Sequence, residues 1–228
     1  MLGFPRILDY CFPYIQKYLI GPLSADLFFY GYSDIENGWT ADRMLSIMSP
    51  KRHVIREFDG KVVSEIWNAY GAEIRNAPPR PDPTNVLSQY YNMFKCFQLL
   101  EEKYDVVVRI RPDYFICREL TEIHDIEPDT VYIPDLWDFG GVSSGYAHGD
   151  YSSMEKYCNL FNRIAEYNAS GFPFHCESMK RHHIYSSGMV RKVIAPPYWW
   201  ELEDFETNGY AASYIDGLTR NPTRRNFR

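Results

Sequence analysis

No apolar run in the 228 residues approaches the roughly 20 that a membrane-crossing helix needs, and the first residues lack the charged, apolar and small-residue order of a signal peptide. A cytoplasmic protein with no transmembrane segment is expected. Cysteine is scarce and unpatterned. Cys11, Cys96, Cys117, Cys158 and Cys176 are odd in number and never spaced as a metal knuckle or a redox pair, as suits a reducing compartment. Positive charge is in deficit, with 24 Lys and Arg against 30 Asp and Glu, so there is no general electrostatic footprint for nucleic acid. One local exception, residues 220–228, carries four arginines and reads as a solvated basic tail behind a single domain spanning residues 1–219. Internal repeats are also missing, which excludes a solenoid.

Aromatic residues, by contrast, are abundant. They make up 17% of the chain, and 19 of them are tyrosines, more hydroxyl-bearing rings than a core of this size requires. Some are expected to face a ligand. The 45% apolar content is enough for one packed core.

Strand-like and helix-like stretches alternate along the chain. Leu8 to Leu19 has helical spacing, with Pro13 marking where its regular part can start. Ala25 to Tyr30 is a short apolar run, bounded by Gly31, of the kind a buried parallel strand uses. Thr40 can cap a helix carrying Met44, Leu45 and Met48, and residues 53–58 read as the next strand. Residues 76–85 hold four prolines and are expected to form a loop. A long helix should follow, because Val86, Leu87, Tyr90, Tyr91, Phe94, Phe97 and Leu100 recur at helical spacing. Residues 105–110 and 130–133 read as strands, and Ser152 with Glu155 forms a capping-box pattern. A helix near Glu177 to Ile184 and a strand from Met189 to Ile194 complete the series. The alternation predicts an α/β fold: a mostly parallel central sheet with helices on both faces and its ligands beyond the carboxyl ends of the strands.

The most informative segment is YDVVVRIRPDYF, Tyr104 to Phe115. Three consecutive valines define a strand buried on both faces, yet Arg109 and Arg111 stand at its carboxyl end, with Asp113 close behind. A guanidinium matches phosphate oxygens through its planar donor fork, and a neighbouring Asp can ligate a divalent cation or accept from a sugar hydroxyl. The competing reading is an ion pair between Asp113 and one arginine that fixes the turn.

This segment resembles the "YDxVIRxRxD" strand of a group of glycosyltransferases of the GT-A (Rossmann-like) type, found in microbial and viral polysaccharide pathways. Other blocks follow in the same order. GFPR (Gly3 to Arg6) resembles the opening "sGxPR" turn, ADLFFYGYSD (Ala25 to Asp34) the "DVFIHxW" strand, and MSPK (Met48 to Lys51) "YxPK". LSQYYNMFKCFQL (Leu87 to Leu99), YAHGDYSSMEKYCNLF (Tyr146 to Phe161) and HCESM (His175 to Met179) resemble later blocks, so that about three quarters of the chain is covered. The resemblance implies transfer of a sugar from a nucleoside-diphosphate sugar to a hydroxyl of a glycan or glycoconjugate acceptor. The alternative is a non-catalytic sugar-nucleotide or glycan-binding protein on the same fold.

Roles carry over by position. Gly3 would let the backbone approach the nucleotide, Arg6 would reach the diphosphate, and Arg109, Arg111 and Asp113 would hold the donor. Enzymes of this type usually place an Asp-x-Asp pair here to bind Mn²⁺ or Mg²⁺. In this chain Arg111 takes the place of the first carboxylate, so Asp113 is left as the metal-ligand candidate and metal dependence should be weaker. Ser144 is a second departure, standing where the resembling proteins often have Asp. For the carboxylate that takes the acceptor's proton, Glu177 is the first candidate, Asp150 the second and Asp138 a weaker third. His175, His182 and His183 do not read as a metal set, since adjacent helical histidines point in different directions and are expected to be solvated. Tyr198, Trp199 or Trp200 could stack on an acceptor sugar, core packing being the equal alternative. One feature is discordant: only Met1 and Leu2 precede Gly3, too few for a full first strand. Either residues precede them or the sheet opens on a stub.

Overall fold

The computed structural model describes residues 2–3, 7–57, 83–135 and 140–195, all within one compact unit, Met1–Pro197. Arg6, Asp138, Tyr198, Trp199, Trp200, the proposed limit at residue 219 and the basic tail lie outside them.

The α/β class holds. A three-stranded parallel sheet has the order β1 (Leu2–Gly3), β2 (Phe28–Ser33), β3 (Arg52–Glu57). A four-stranded sheet has the order β4 (Val107–Ile110), β6 (Tyr146–Gly149), β5 (Thr130–Pro134), β7 (Val190–Ile194). The helices are α1 (Leu8–Ile15), α2 (Gly21–Leu23), α3 (Ala41–Met48), α4 (Pro83–Phe97), α5 (Tyr151–Cys158), α6 (Ile164–Ala169) and α7 (Cys176–Ser186).

β6 corrects the expectation of near-uniform parallel pairing, because it runs antiparallel to both β4 and β5. At four residues it is too short to show an alternation of its own. β2 begins three residues later than expected and runs through Gly31, which lies opposite Gly3 of β1; all six of its residues are buried. α4 also starts earlier than the proline-rich loop suggested. Pro83 opens it, a position where the missing N–H goes unused by the helix. Pro13, in contrast, sits inside α1, which begins at Leu8 and passes into a π-helical stretch at Gln16–Ile20.

One face of the parallel sheet makes the main core. Phe28, Tyr30 and Tyr32 alternate onto it and meet Val86, Leu87, Tyr90 and Met93 of α4, as a period-2 strand against a period-3.6 helix requires. A polar cluster ties the amino ends of three strands together. Lys51, just before β3, bonds Asp26, just before β2, at 2.6 Å, and Tyr104, just before β4, donates to the same Asp26 oxygen at 2.8 Å. Those hydrogen bonds hold the Asp26 carboxyl below its usual value. With their starts pinned together, β2, β3 and β4 send their carboxyl ends toward the opposite side, where Arg111 and Asp113 follow β4.

Candidate functional site

Beyond Ile110 the chain turns at once. Pro112 has no N–H to offer a ladder, and the Tyr114 N–H donates to the Arg111 carbonyl at 3.1 Å, closing a tight turn. Within it Arg111 and Asp113 form a bidentate pair, Nε to Oδ1 at 2.8 Å and Nη2 to Oδ2 at 2.6 Å. This is the ion pair of the competing reading. The Asp113 side chain is 9% exposed and that of Arg111 32%, so the guanidinium reaches solvent while its orientation is fixed by the carboxylate.

Arg109 lies deeper than a donor-binding role needs. It is 4% exposed, and its Nη1 donates to the Ser144 carbonyl. Nε and Nη2 have no hydrogen-bond partner among the described residues. Burial lowers the guanidinium from its ordinary value, nearby Tyr157 opposes the shift, and Arg111 adds to it by repulsion. Lys180 of α7 is a second interior cation. It is fully buried, bonds Gln89 Oε1 at 3.2 Å and Cys176 Sγ at 3.4 Å, and lies over the Tyr90 ring. Its pKa too is lowered, first by burial and further by Arg109. Among the described residues neither Arg109 nor Lys180 forms an ion pair. Burying a charged group costs several kcal/mol, against about 1 kcal/mol for an ordinary hydrogen bond, and this is why both groups are shifted toward their neutral forms.

The loop from Gly141 to Gly145 links this cationic end to α7. On one side the Arg111 N–H donates to the Gly145 carbonyl at 3.1 Å, and on the other the Val142 N–H donates to the Glu177 carbonyl at 3.1 Å. Two glycines make the passage possible. A Cβ on Gly141 would stand 2.0 Å from the Glu177 carbonyl carbon, and one on Gly145 would stand 2.2 Å from the Tyr114 ring. Glu177 is thereby fixed in the first turn of α7, 12% exposed, with His175 Nε2 3.8 Å from its carboxylate.

Asp150 does not join this group. β6 runs against β4 with Val107 opposite Gly149 and Ile110 opposite Tyr146, so Asp150 follows the end of β6 that lies beside the start of β4. It is occupied there as the N-cap of α5, accepting from the Ser153 N–H at 2.6 Å. Asp150, and not Ser152, opens that helix. His175 likewise caps α7. His183 is buried, not solvated: its Nδ1 accepts from Tyr167 at 2.8 Å and its Nε2 meets the Lys156 carbonyl at 2.7 Å, while His182 stacks on Phe172. Gly3 stands in β1 opposite Gly31.

Asp113, the metal-ligand candidate, is engaged within the turn. Both of its oxygens are taken by Arg111, and no group of three or more His, Cys, Asp or Glu converges among the described residues. Lys180 was missed in the sequence because a lysine on a helix reads as solvated; its place one turn after Cys176, on the face carrying Met179 and Ile184, was the available signal. Compared with known proteins, the sequence matches no family profile and no curated protein.

Proposed function

We propose that the carboxyl end of β4 binds the diphosphate of a nucleoside-diphosphate sugar and that the protein transfers the sugar to a hydroxyl of a glycan acceptor. The observation that carries this reading is the partly exposed Arg111 at the carboxyl end of β4, together with two interior basic side chains, Arg109 and Lys180, that form no ion pair among the described residues. An anion arriving at Arg111 would feel all three charges at low effective dielectric, and the free protein holds the cost of that arrangement in advance.

In the transfer, the acceptor hydroxyl oxygen bonds to the anomeric carbon as the bond from that carbon to the diphosphate oxygen breaks. The hydroxyl proton passes to the Glu177 carboxylate and then to solvent, while the leaving diphosphate's charge is met by Arg111. Asp113 orients Arg111, and Arg109 braces the loop at Ser144, so both act as positioning residues.

The closed Arg111–Asp113 pair favours a second reading, a sugar-nucleotide or glycan-binding protein without turnover. Release of nucleoside diphosphate from UDP, GDP or dTDP sugars, or of CMP from CMP sugars, separates the two. Transfer predicts release that falls at least about a hundredfold in Glu177→Gln with donor binding kept. Binding without release supports the second reading, and no binding of any donor removes both transfer and sugar-nucleotide binding, leaving glycan binding to be read by titration with oligosaccharides.

A further inference from the structure

A cavity of about 380 Å³ lies between the start of β2 and the whole of β4, and its lining is mostly apolar. That volume falls in the range of small-molecule sites, about 300 to 1,000 Å³. Val107 and Val108, expected to be fully buried, are only half-buried, and both line it. Ile15 and Leu19 close it from the first helical segment and Met93 from α4. Ala25, Asp26 and Asp105 also line it and are exposed. They stand just before β2 and β4, so the cavity opens at the amino ends of the strands. Arg109, 4% exposed, lies at the inner end together with the buried Cys158.

The Arg109 guanidinium is only partly used. Nη1 donates to the Ser144 carbonyl, whereas Nε and Nη2, both buried, have no hydrogen-bond partner among the described residues. Buried donors left unpaired are costly and call for a partner. Nε and Nη2 form one edge of the guanidinium, and it is by this same edge that Arg111 grips both oxygens of Asp113. We infer that the cavity binds an unbranched medium-chain carboxylate, its two oxygens accepting from Nε and Nη2 of Arg109 and its alkyl chain running past the β4 valines to the mouth. Strand rise puts about 13 Å between Asp105 and Arg109, the length of an extended chain of about ten carbons. The opposite orientation would set the carboxylate beside Asp26 and Asp105, where Lys51 is already bonded to Asp26. The inference goes beyond the donor-site proposal, and its test reads carboxylate binding alone.

The test is calorimetric titration of the whole chain with decanoate, decanol and decyltrimethylammonium, each kept below the concentration at which it forms micelles. Decanoate should bind at one site, decanol at least about tenfold more weakly, and decyltrimethylammonium without saturation. Hexanoate, shorter by four methylenes, should bind at least about a hundredfold more weakly than decanoate, each buried methylene counting for about fourfold. Arg109→Met keeps the stem and removes the donor edge, so decanoate should fall to the level of decanol while decanol itself is unchanged. Leu23→Trp, which narrows the cavity from the α2 side, should weaken both. Decanoate and decanol bound alike by the parent would overturn the inference, as would unchanged decanoate affinity in either variant or no saturable binding to the folded parent. The head-group and chain-length series need the parent alone, so they decide the matter whether or not Arg109→Met folds.

Discussion

Arg111 and Asp113 probe the proposed anion site from opposite signs. Arg111→Ala leaves a nearly buried carboxylate without its guanidinium and should abolish donor-induced thermal stabilisation while the protein stays folded. Asp113→Asn keeps the shape and removes the restraining charge, so donor affinity should change by less than in Arg111→Ala; equal donor-induced shifts in the parent and Arg111→Ala would remove the site. Lys180 gives a sharper test. Lys180→Met keeps the apolar stem and the volume while removing an amine whose charged form burial disfavours, so it should melt no lower than the parent and yet bind donor more weakly. His183 sets a pH dependence of a different origin. Burial lowers its pKa from 6.5 to about 4, so the folded state holds the ring neutral where the unfolded chain would protonate it. That stability is fully present above pH 6.5 and is lost as pH falls toward 4, to the extent of about 3 kcal/mol. The melting-temperature gap between the parent and His183→Asn should therefore narrow between pH 6.5 and 4; a constant gap would contradict a neutral buried imidazole.

At the scale of elements, the loop from Gly141 to Gly145 and the cap at Asp150 carry separate predictions. Gly141→Ala forces a methyl group into the backbone of Glu177, and no side chain can yield there. It should cost at least about 2 kcal/mol, a fall of roughly 5 °C in melting temperature, and should displace Glu177. Asp150→Ala should cost about 1 kcal/mol through loss of the α5 cap, with donor affinity unchanged; a loss of donor affinity would return Asp150 to the site. Helices with a cap and a clear apolar stripe were legible in the sequence. Thr40 does cap α3, accepting from the Arg43 N–H at 3.2 Å, and the apolar stripe read for α4 is present, its Val86, Leu87 and Tyr90 lying in the core with β2. β6 was not legible, because four residues show no period and its antiparallel direction is set by tertiary pairing. Asp150 misled for a related reason: a carboxylate after Gly149 looks free until the register of β6 against β4 places it beside the strand's start.

Over the whole molecule, a net charge of −6 surrounds an interior in which two cations are buried near the carboxyl end of one strand. Arg109 and Arg111 were legible by residue type at the end of the valine run from Tyr104 to Phe115, although the depth of Arg109 is set by tertiary packing that spacing does not reveal. Calorimetric titration of UDP, GDP and dTDP with EDTA present, into the parent chain and into Arg111→Ala, decides whether the carboxyl end of β4 is a diphosphate site. At least one nucleoside diphosphate should bind the parent without divalent metal, and Arg111→Ala should lose at least about tenfold in affinity, or roughly 1.4 kcal/mol. Binding unaltered in Arg111→Ala, or no binding by the folded parent, would contradict it.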